Sequence, residues 1–336
     1  MKKILMAVCA ISVLALTGCK KDDPTDNHNN QEQQESEGIY NPGARIATRN
    51  TDGGTEQWVW NGTKLDRIES FDLDGLTTGV QQFTYNGDRL ASVSQTIEGI
   101  ETETRITYDG NLISSIGIYT AGVESANVAV SHNAAKKINR LDLDVDAAYI
   151  NTILGMLMGD GGFNFAAAKS GEKFTLNSTD VYATLEWQGD NVSRMIVNAE
   201  INAGVTMDDI SQVVDLTEML GDMASLIMSL PGEHPLVVSL HDTIDFTYDD
   251  NHNPLQGFLG MLDPQVLSAN NYTLMNNHGI ADVNLTINIP IMGAYPIEQS
   301  IPITRVMDYF YTYNAAGFPL TVNDDEGNMT TYTYQE

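Results

Sequence analysis

The sequence predicts a mainly β protein: a long antiparallel up-and-down meander curled into an open or barrel-like sheet, with two inserted amphipathic helices. Three observations predict it. An aromatic residue, a turn dipeptide and two aliphatics recur in fixed order, as Trp60-Asn61-Gly62 with Leu65 and Ile68, Tyr85-Asn86-Gly87 with Leu90 and Val93, and Trp187-Gln188-Gly189 with Val192 and Met195. Asn-Gly accepts the positive φ of a tight hairpin turn, and the flanking residues suit a pleated strand. Glycines at 62, 75, 87, 99, 110 and 122 then mark a reversal of direction every 11 to 13 residues. Finally, Ile100 to Tyr108 alternates Ile, Thr and Tyr on one face with mainly charge on the other, the period of a half-buried strand.

The elements follow in chain order. Lys2 and Lys3 precede an apolar run from Ile4 to Leu16, the layout of an export signal. Thirteen residues are too short for a helix to span a bilayer, which takes roughly twenty. Leu16-Thr17-Gly18-Cys19 closes the run and resembles the lipobox of bacterial lipoproteins. That resemblance implies cleavage after Gly18 and acylation of Cys19, so the mature chain meets the membrane through an N-terminal lipid. Lys20-Lys21-Asp22-Asp23 and the acidic, amide-rich run to Glu37 resemble the export tag of Bacteroidetes surface lipoproteins, which implies a location on the outer membrane facing the cell exterior. Asp26 to Glu37 holds no apolar residue and is read as part of a flexible tether. The expected organisation is a signal peptide over 1–18, the tether over 19–38, and one β-meander domain over 39–336.

Within that body, Tyr108-Asp109-Gly110 with Leu112 and Ile116 reads as an altered copy of the repeat, and His132-Asn133-Ala134 with Ile138 and Leu141 as another. Tyr248-Asp249-Asp250 and Tyr313-Asn314-Ala315 are looser. The three-residue step from Leu65 to Ile68 breaks period two and predicts a bulge after each tight turn. Helical spacing of Tyr149, Ile150, Ile153, Leu154 and Leu157 predicts one inserted helix near 147–158. A second, near 207–230, starts at the Thr206 and Asp209 capping pattern and stops at Pro231-Gly232.

The stretch Tyr313 to Tyr334 resembles the tyrosine-aspartate repeat of Rhs-type wrapping proteins. With the lipobox and the acidic tag, the body looks like a family of Bacteroidetes surface lipoproteins whose domain has been described as porin-like in fold. The resemblance implies a long curved sheet and no activity to carry over. A membrane-embedded barrel is not expected, because its outward band must be apolar, whereas these strands carry Glu101, Glu103, Arg105, Asp142 and Asp144.

Composition and motifs narrow the function classes. A formal charge of −28 repels nucleic acid. Cys9 leaves with the signal and Cys19 is consumed by lipid, so the mature body has no thiol chemistry. The six histidines form no metal-binding pattern, there is no nucleophile elbow, and no cofactor is called for. His241-Asp242 and Asp249 to His252 read as solvated turns. What is left is an aromatic ladder of Trp60, Tyr85, Tyr108, Trp187, Tyr248 and Tyr313, joined by Trp58, which projects to the same side as Trp60. Exposed, Trp58, Trp60, Tyr85, Tyr108 and Trp187 would bind a glycan or an extended peptide; packed, they would only tie strands together. The expected function is a lipid-anchored binding module for an extracellular glycan or peptide, or for an envelope partner protein. The alternatives are a surface-displayed hydrolase and a passive spacer.

Overall fold

The computed structural model describes residues 37–97, 100–145, 174–206, 230, 232–259, 264–289 and 293–335. Among them sixteen strands form one closed antiparallel barrel. The first nine are short: β1 (Ile46–Thr51), β2 (Gly54–Asn61), β3 (Lys64–Phe71), β4 (Thr77–Asn86), β5 (Arg89–Ile97), β6 (Ile100–Asp109), β7 (Leu112–Thr120), β8 (Val123–His132) and β9 (Ile138–Val145). Five long ones follow: β10 (Phe174–Gln188), β11 (Asn191–Thr206), β12 (Glu233–His252), β13 (Asn270–Ile289) and β14 (Gly293–Tyr313). Two short strands, β15 (Pro319–Asp324) and β16 (Met329–Tyr334), complete the ring, and β16 pairs with β1. The meander thus closes, which the sequence left open. The expected helices near 147–158 and 207–230 fall, apart from Leu230, outside the described residues; the helical element that is described is a 3₁₀ turn, Pro264–Leu267.

Each repeat builds the same joint. Trp60 pairs with Leu65 but Val59 pairs with Arg67, so Asp66 is the extra residue of a bulge just past the turn. Tyr85 with Leu90 and Trp187 with Val192 repeat this, leaving Ala91 and Ser193 as the extra residues. The bulge re-aims the strand and keeps both aliphatics of a repeat, such as Leu65 and Ile68, buried despite their three-residue step. Tyr108 proves a regular copy, because its partner is the fully buried Ile113 and not Leu112. Gly62 and Gly87 open their turns at φ of 62° and 61°, where a side chain would be strained.

The barrel is apolar inside and mainly polar outside, with Val80, Ile280, Val306 and Phe310 as exposed apolar exceptions. Along β11, Met195, Val197, Ala199, Ile201, Ala203 and Val205 are buried, while Arg194, Asn198, Glu200 and Asn202 face out. The outer wall carries close ion pairs, Arg67 with Glu69 at 2.7 Å, Arg105 with Glu103 at 2.7 Å and Arg140 with Asp142 at 2.6 Å. A barrel spanning a bilayer has the opposite arrangement. The wall is therefore built for water.

Two segments fill the end where the tight turns lie. The chain enters there, and Glu37, expected to be free, is already docked: its N–H donates to Asn111 O at 2.9 Å, and its buried carboxylate sits 2.9 Å from His132 Nε2. Tyr40 then donates its hydroxyl to Pro254 O at 2.6 Å. Pro254 belongs to the loop between β12 and β13, a plug that buries Leu255, Phe258, Val266 and Leu267 inside the barrel. Phe258 is its keystone, with ring centroids 4.7 Å from Trp58 and 5.2 Å from Tyr40.

At the opposite end β10 to β14 outrun their neighbours. β9 pairs with β10 only along Val181–Thr184, and β15 with β14 only along Tyr309–Tyr313. Beyond those points, among the described residues, β10 to β14 form a five-stranded extension with β14 as one edge. Asp308 O accepts from Asp325 N on that edge side, so even-numbered residues of β14 turn their backbone groups outward. Pro296 and Pro302 occupy two of those positions and blunt the edge against stray pairing.

Candidate functional site

The aromatic ladder is a set of interlocks. Each side chain reaches across to the previous repeat and donates to a backbone carbonyl there: Trp60 Nε1–H to Ile46 O at 2.8 Å, Tyr85 O–H to Leu65 O at 2.8 Å, Tyr108 O–H to Leu90 O at 2.7 Å and Trp187 Nε1–H to Ile138 O at 2.7 Å. The basic residue just before that carbonyl lies over the ring, Lys64 at 5.6 Å from the Tyr85 centroid, Arg89 at 5.3 Å from Tyr108 and Lys137 at 5.0 Å from Trp187. Lys64 Nζ and Arg89 Nη1 also donate to Gly87 O and Gly110 O, each at 2.6 Å, so cation and ring lock two hairpins reciprocally. Burial pushes the Tyr85 phenol up to about 12 and that of Tyr108 higher still. Trp58 is 3% exposed, with its ring against Phe258. The face that it shares with Trp60 is the barrel interior. Cys19 lies outside the described residues.

A cavity of about 140 Å³ opens elsewhere, between the plug and the inner wall formed by β1 and β13 to β16. Four tyrosines surround it, Tyr272 from β13, Tyr309 and Tyr311 from β14 and Tyr332 from β16. Tyr309 and Tyr311 are two residues apart on one strand, which puts both rings inside. Tyr272 and Tyr309 meet edge to face with centroids 4.7 Å apart, and Tyr311 is fixed by its hydroxyl's bond to Tyr272 O at 3.1 Å. Arg49, Gln265 and Asn271 add polar lining. Arg49 is held by Glu56 at 2.7 Å, while Asn271 donates to His252 O at 3.1 Å and accepts from Gln265 at 3.4 Å. The lining is thus rigid, aromatic on its sides and hydrogen-bonding at its ends.

Size decides what fits. A cavity of roughly 150 Å³ holds one benzene, so this one is matched to a single six-membered ring whose substituents reach its opening, and to nothing as large as a chain of rings. Phenol faces cover the flat sides of such a ring, and amides and a guanidinium match hydroxyls or a carboxylate on its rim. Sequence reasoning missed these residues although part of the signal was there. Tyr309, Tyr311 and Tyr313 alternate with outward-facing Phe310 and Thr312 in strict period two.

The other notable interior group is Asp242. The solvated turn expected at His241-Asp242 is instead the middle of β12, and Asp242 is wholly buried with Asn277 Nδ2 donating to its Oδ2 at 3.0 Å. Burial pushes its carboxyl up to about 6, against the smaller opposing effect of the bond from Asn277.

No protein-family model matches the chain, and no curated protein sequence does. Among solved structures, a porin-like protein from Bacteroides uniformis is similar at a TM-score of 0.29 and 9% sequence identity, over 89% of this chain and 100% of that one. A likeness at that level leaves function to the chain's own geometry.

Proposed function

We propose that this chain is a lipid-anchored module on the outer surface of a cell envelope, and that it binds one sugar ring of an extracellular glycan in the tyrosine-lined cavity. The observation that carries the reading is the cavity itself: about 140 Å³ with four tyrosines and fixed polar groups, inside a barrel whose buried lining is otherwise mainly aliphatic. The lipobox supports the anchor and the acidic tag the exposed location. The charged outer wall supports attachment by acyl chains in place of embedding, since several chains at ~0.8 kcal/mol per buried methylene hold a protein durably. In this reading Trp60, Tyr85, Tyr108 and Trp187 stiffen the wall, and Trp58 seats the plug that forms one side of the site.

Saturation-transfer NMR on the mature chain in soluble form tests the site. The probes are methyl glycosides of hexoses, N-acetylhexosamines and uronic acids. At least one should receive saturation from the protein, and Tyr309→Ala or Tyr332→Ala should abolish the transfer. Silence across the whole set, or transfer indifferent to both substitutions, refutes the reading.

A further inference from the structure

Asp242 faces Gly279 directly across the β12–β13 ladder. A Cβ at residue 279 would stand 2.5 Å from Asp242 Oδ1 and 2.7 Å from the Asp242 Cα, so the carboxyl fills the space that any other residue would claim. Asn277 supplies one hydrogen bond and the Thr243 N–H adds a weaker pull on the carboxyl, yet Asp242 Oδ1 and Asn277 Oδ1 are both buried with no partner at full hydrogen-bond geometry. Two buried acceptors without a donor are an unstable arrangement for a charged carboxylate. One added proton removes the charge, supplies the missing donor and leaves the bond from Asn277 in place.

The pair also sits at a mechanically distinct level. Val181, Ala199, Leu240, Ala281 and Ile301 form one continuous cross-strand row, the last before the extension loses β9 as a flanking strand. Asp242 and Gly279 lie two residues to the barrel side of it. A residue without a side chain thus weakens the sheet at the level of the buried acid.

We propose that Asp242, Asn277 and Gly279 form a proton-controlled hinge at the base of the five-stranded extension. With Asp242 neutral the wall is dry and the hinge is locked. With Asp242 ionised, water enters to solvate the carboxylate, and the extension loosens about Gly279. Among the described residues the titratable neighbours are few. His241 and His278 flank it from the outer face of β12 and β13, and their fields favour the ionised form. His278 lies 4.0 Å from Asp245, which Arg194 holds at 2.6 Å, so its effect is partly cancelled. From β11 the facing residue is Val197, which carries no charge. Burial outweighs the histidines and sets the direction.

Carboxyl-carbon NMR of the full mature chain, labelled at aspartate, reads the proton directly. Hydrogen exchange, corrected for the intrinsic effect of pH, reads the hinge. Asp242 should titrate in the mildly acidic range, well above ordinary aspartates. Protection of 239–245 and 276–283 should fall about tenfold between about pH 5 and about pH 7.5 while 112–120 stays unchanged, and Asp242→Asn should abolish that fall. An Asp242 midpoint in the ordinary aspartate range overturns the proposal without any variant. So does a loss of protection that Asp242→Asn shares with the native chain.

Discussion

Replacing Phe258 by alanine asks whether the loop between β12 and β13 is a structural part of the core or merely rests in the barrel. The ring is 1% exposed and lies 4.7, 5.2 and 5.8 Å, centroid to centroid, from Trp58, Tyr40 and Phe83. Phe→Ala at a buried site costs ~3–5 kcal/mol, the spread reflecting how far neighbours collapse into the space. Collapse is restricted here. Trp58 is fixed in β2, and Tyr40 is tethered through its hydroxyl to Pro254 O. The expected loss is therefore in the upper half of that range, about 4 kcal/mol. Urea unfolding followed by tryptophan fluorescence measures it, with Trp58 a reporter in direct contact. Phe310→Ala is the control: the same atoms are removed from a residue 62% exposed on the outer wall, where a change within ~0.5 kcal/mol is expected. A Phe258→Ala loss below about 1.5 kcal/mol, or equal to the control's, would refute the claim that the plug belongs to the core.

Three more predictions test the interlocks, the buried acid and the anchor. Tyr85→Phe removes only the bond to Leu65 O, leaving a buried carbonyl unpaired, and should cost ~1–2 kcal/mol in the same urea assay; no change would make the ladder's hydroxyls incidental. Asp242 has a carboxyl at about 6 when folded against 3.8 when free, so its burden is absent below about pH 4, grows as pH rises to about 6, and levels off at ~3 kcal/mol above that. The stability of Asp242→Asn minus that of the native chain should rise over that window, and a pH-independent difference counts against burial as the cause. Cys19→Ala should move the protein from the membrane to the soluble fraction on cell fractionation, whereas unchanged retention contradicts acylation there.

The hairpins were legible because everything they need is local. Aromatic, turn dipeptide and aliphatics sit within nine residues, and the bulge is forced by their odd spacing. Closure was not legible, because it depends on contacts such as that of Thr48 with Thr333, 285 positions away, and no local pattern encodes which strand ends meet. The plug was missed for a different reason. Its buried Leu255, Phe258, Val266 and Leu267 lack the period two of a strand, and what turns them inward is contact across the barrel with residues far away in sequence, such as Trp58 and Phe83. Asp242 was misread although the pattern contained it. Leu236, Val238, Leu240, Asp242, Ile244 and Phe246 form one inward row, and reading polar His241-Asp242 as a turn ignored the alternation on both sides.

The cavity follows from the number of strands. Sixteen strands enclose more volume than one layer of inward side chains can fill, which is why membrane barrels of that size hold a water channel. Here the inward row is aliphatic, so a wet channel would expose the very surface whose burial drives folding. The plug and the entering segment from Glu37 to Arg45 occupy part of that volume, and they bring backbone groups that need partners. Asn253 meets some of them, donating to Gln265 O at 2.7 Å and Ser268 O at 2.9 Å, and Tyr40 meets another at Pro254 O. On one side Phe258 packs against Trp58 and Phe83, whereas the inner wall facing the plug from β1 and β13 to β16 is correspondingly rich in tyrosines, amides and Arg49. A plug of irregular backbone cannot pack flush against such a wall, and the space left between them is both polar and ring-sized. The same polar lining that lets a loop reside inside the barrel is what equips the remaining void to hold a ligand.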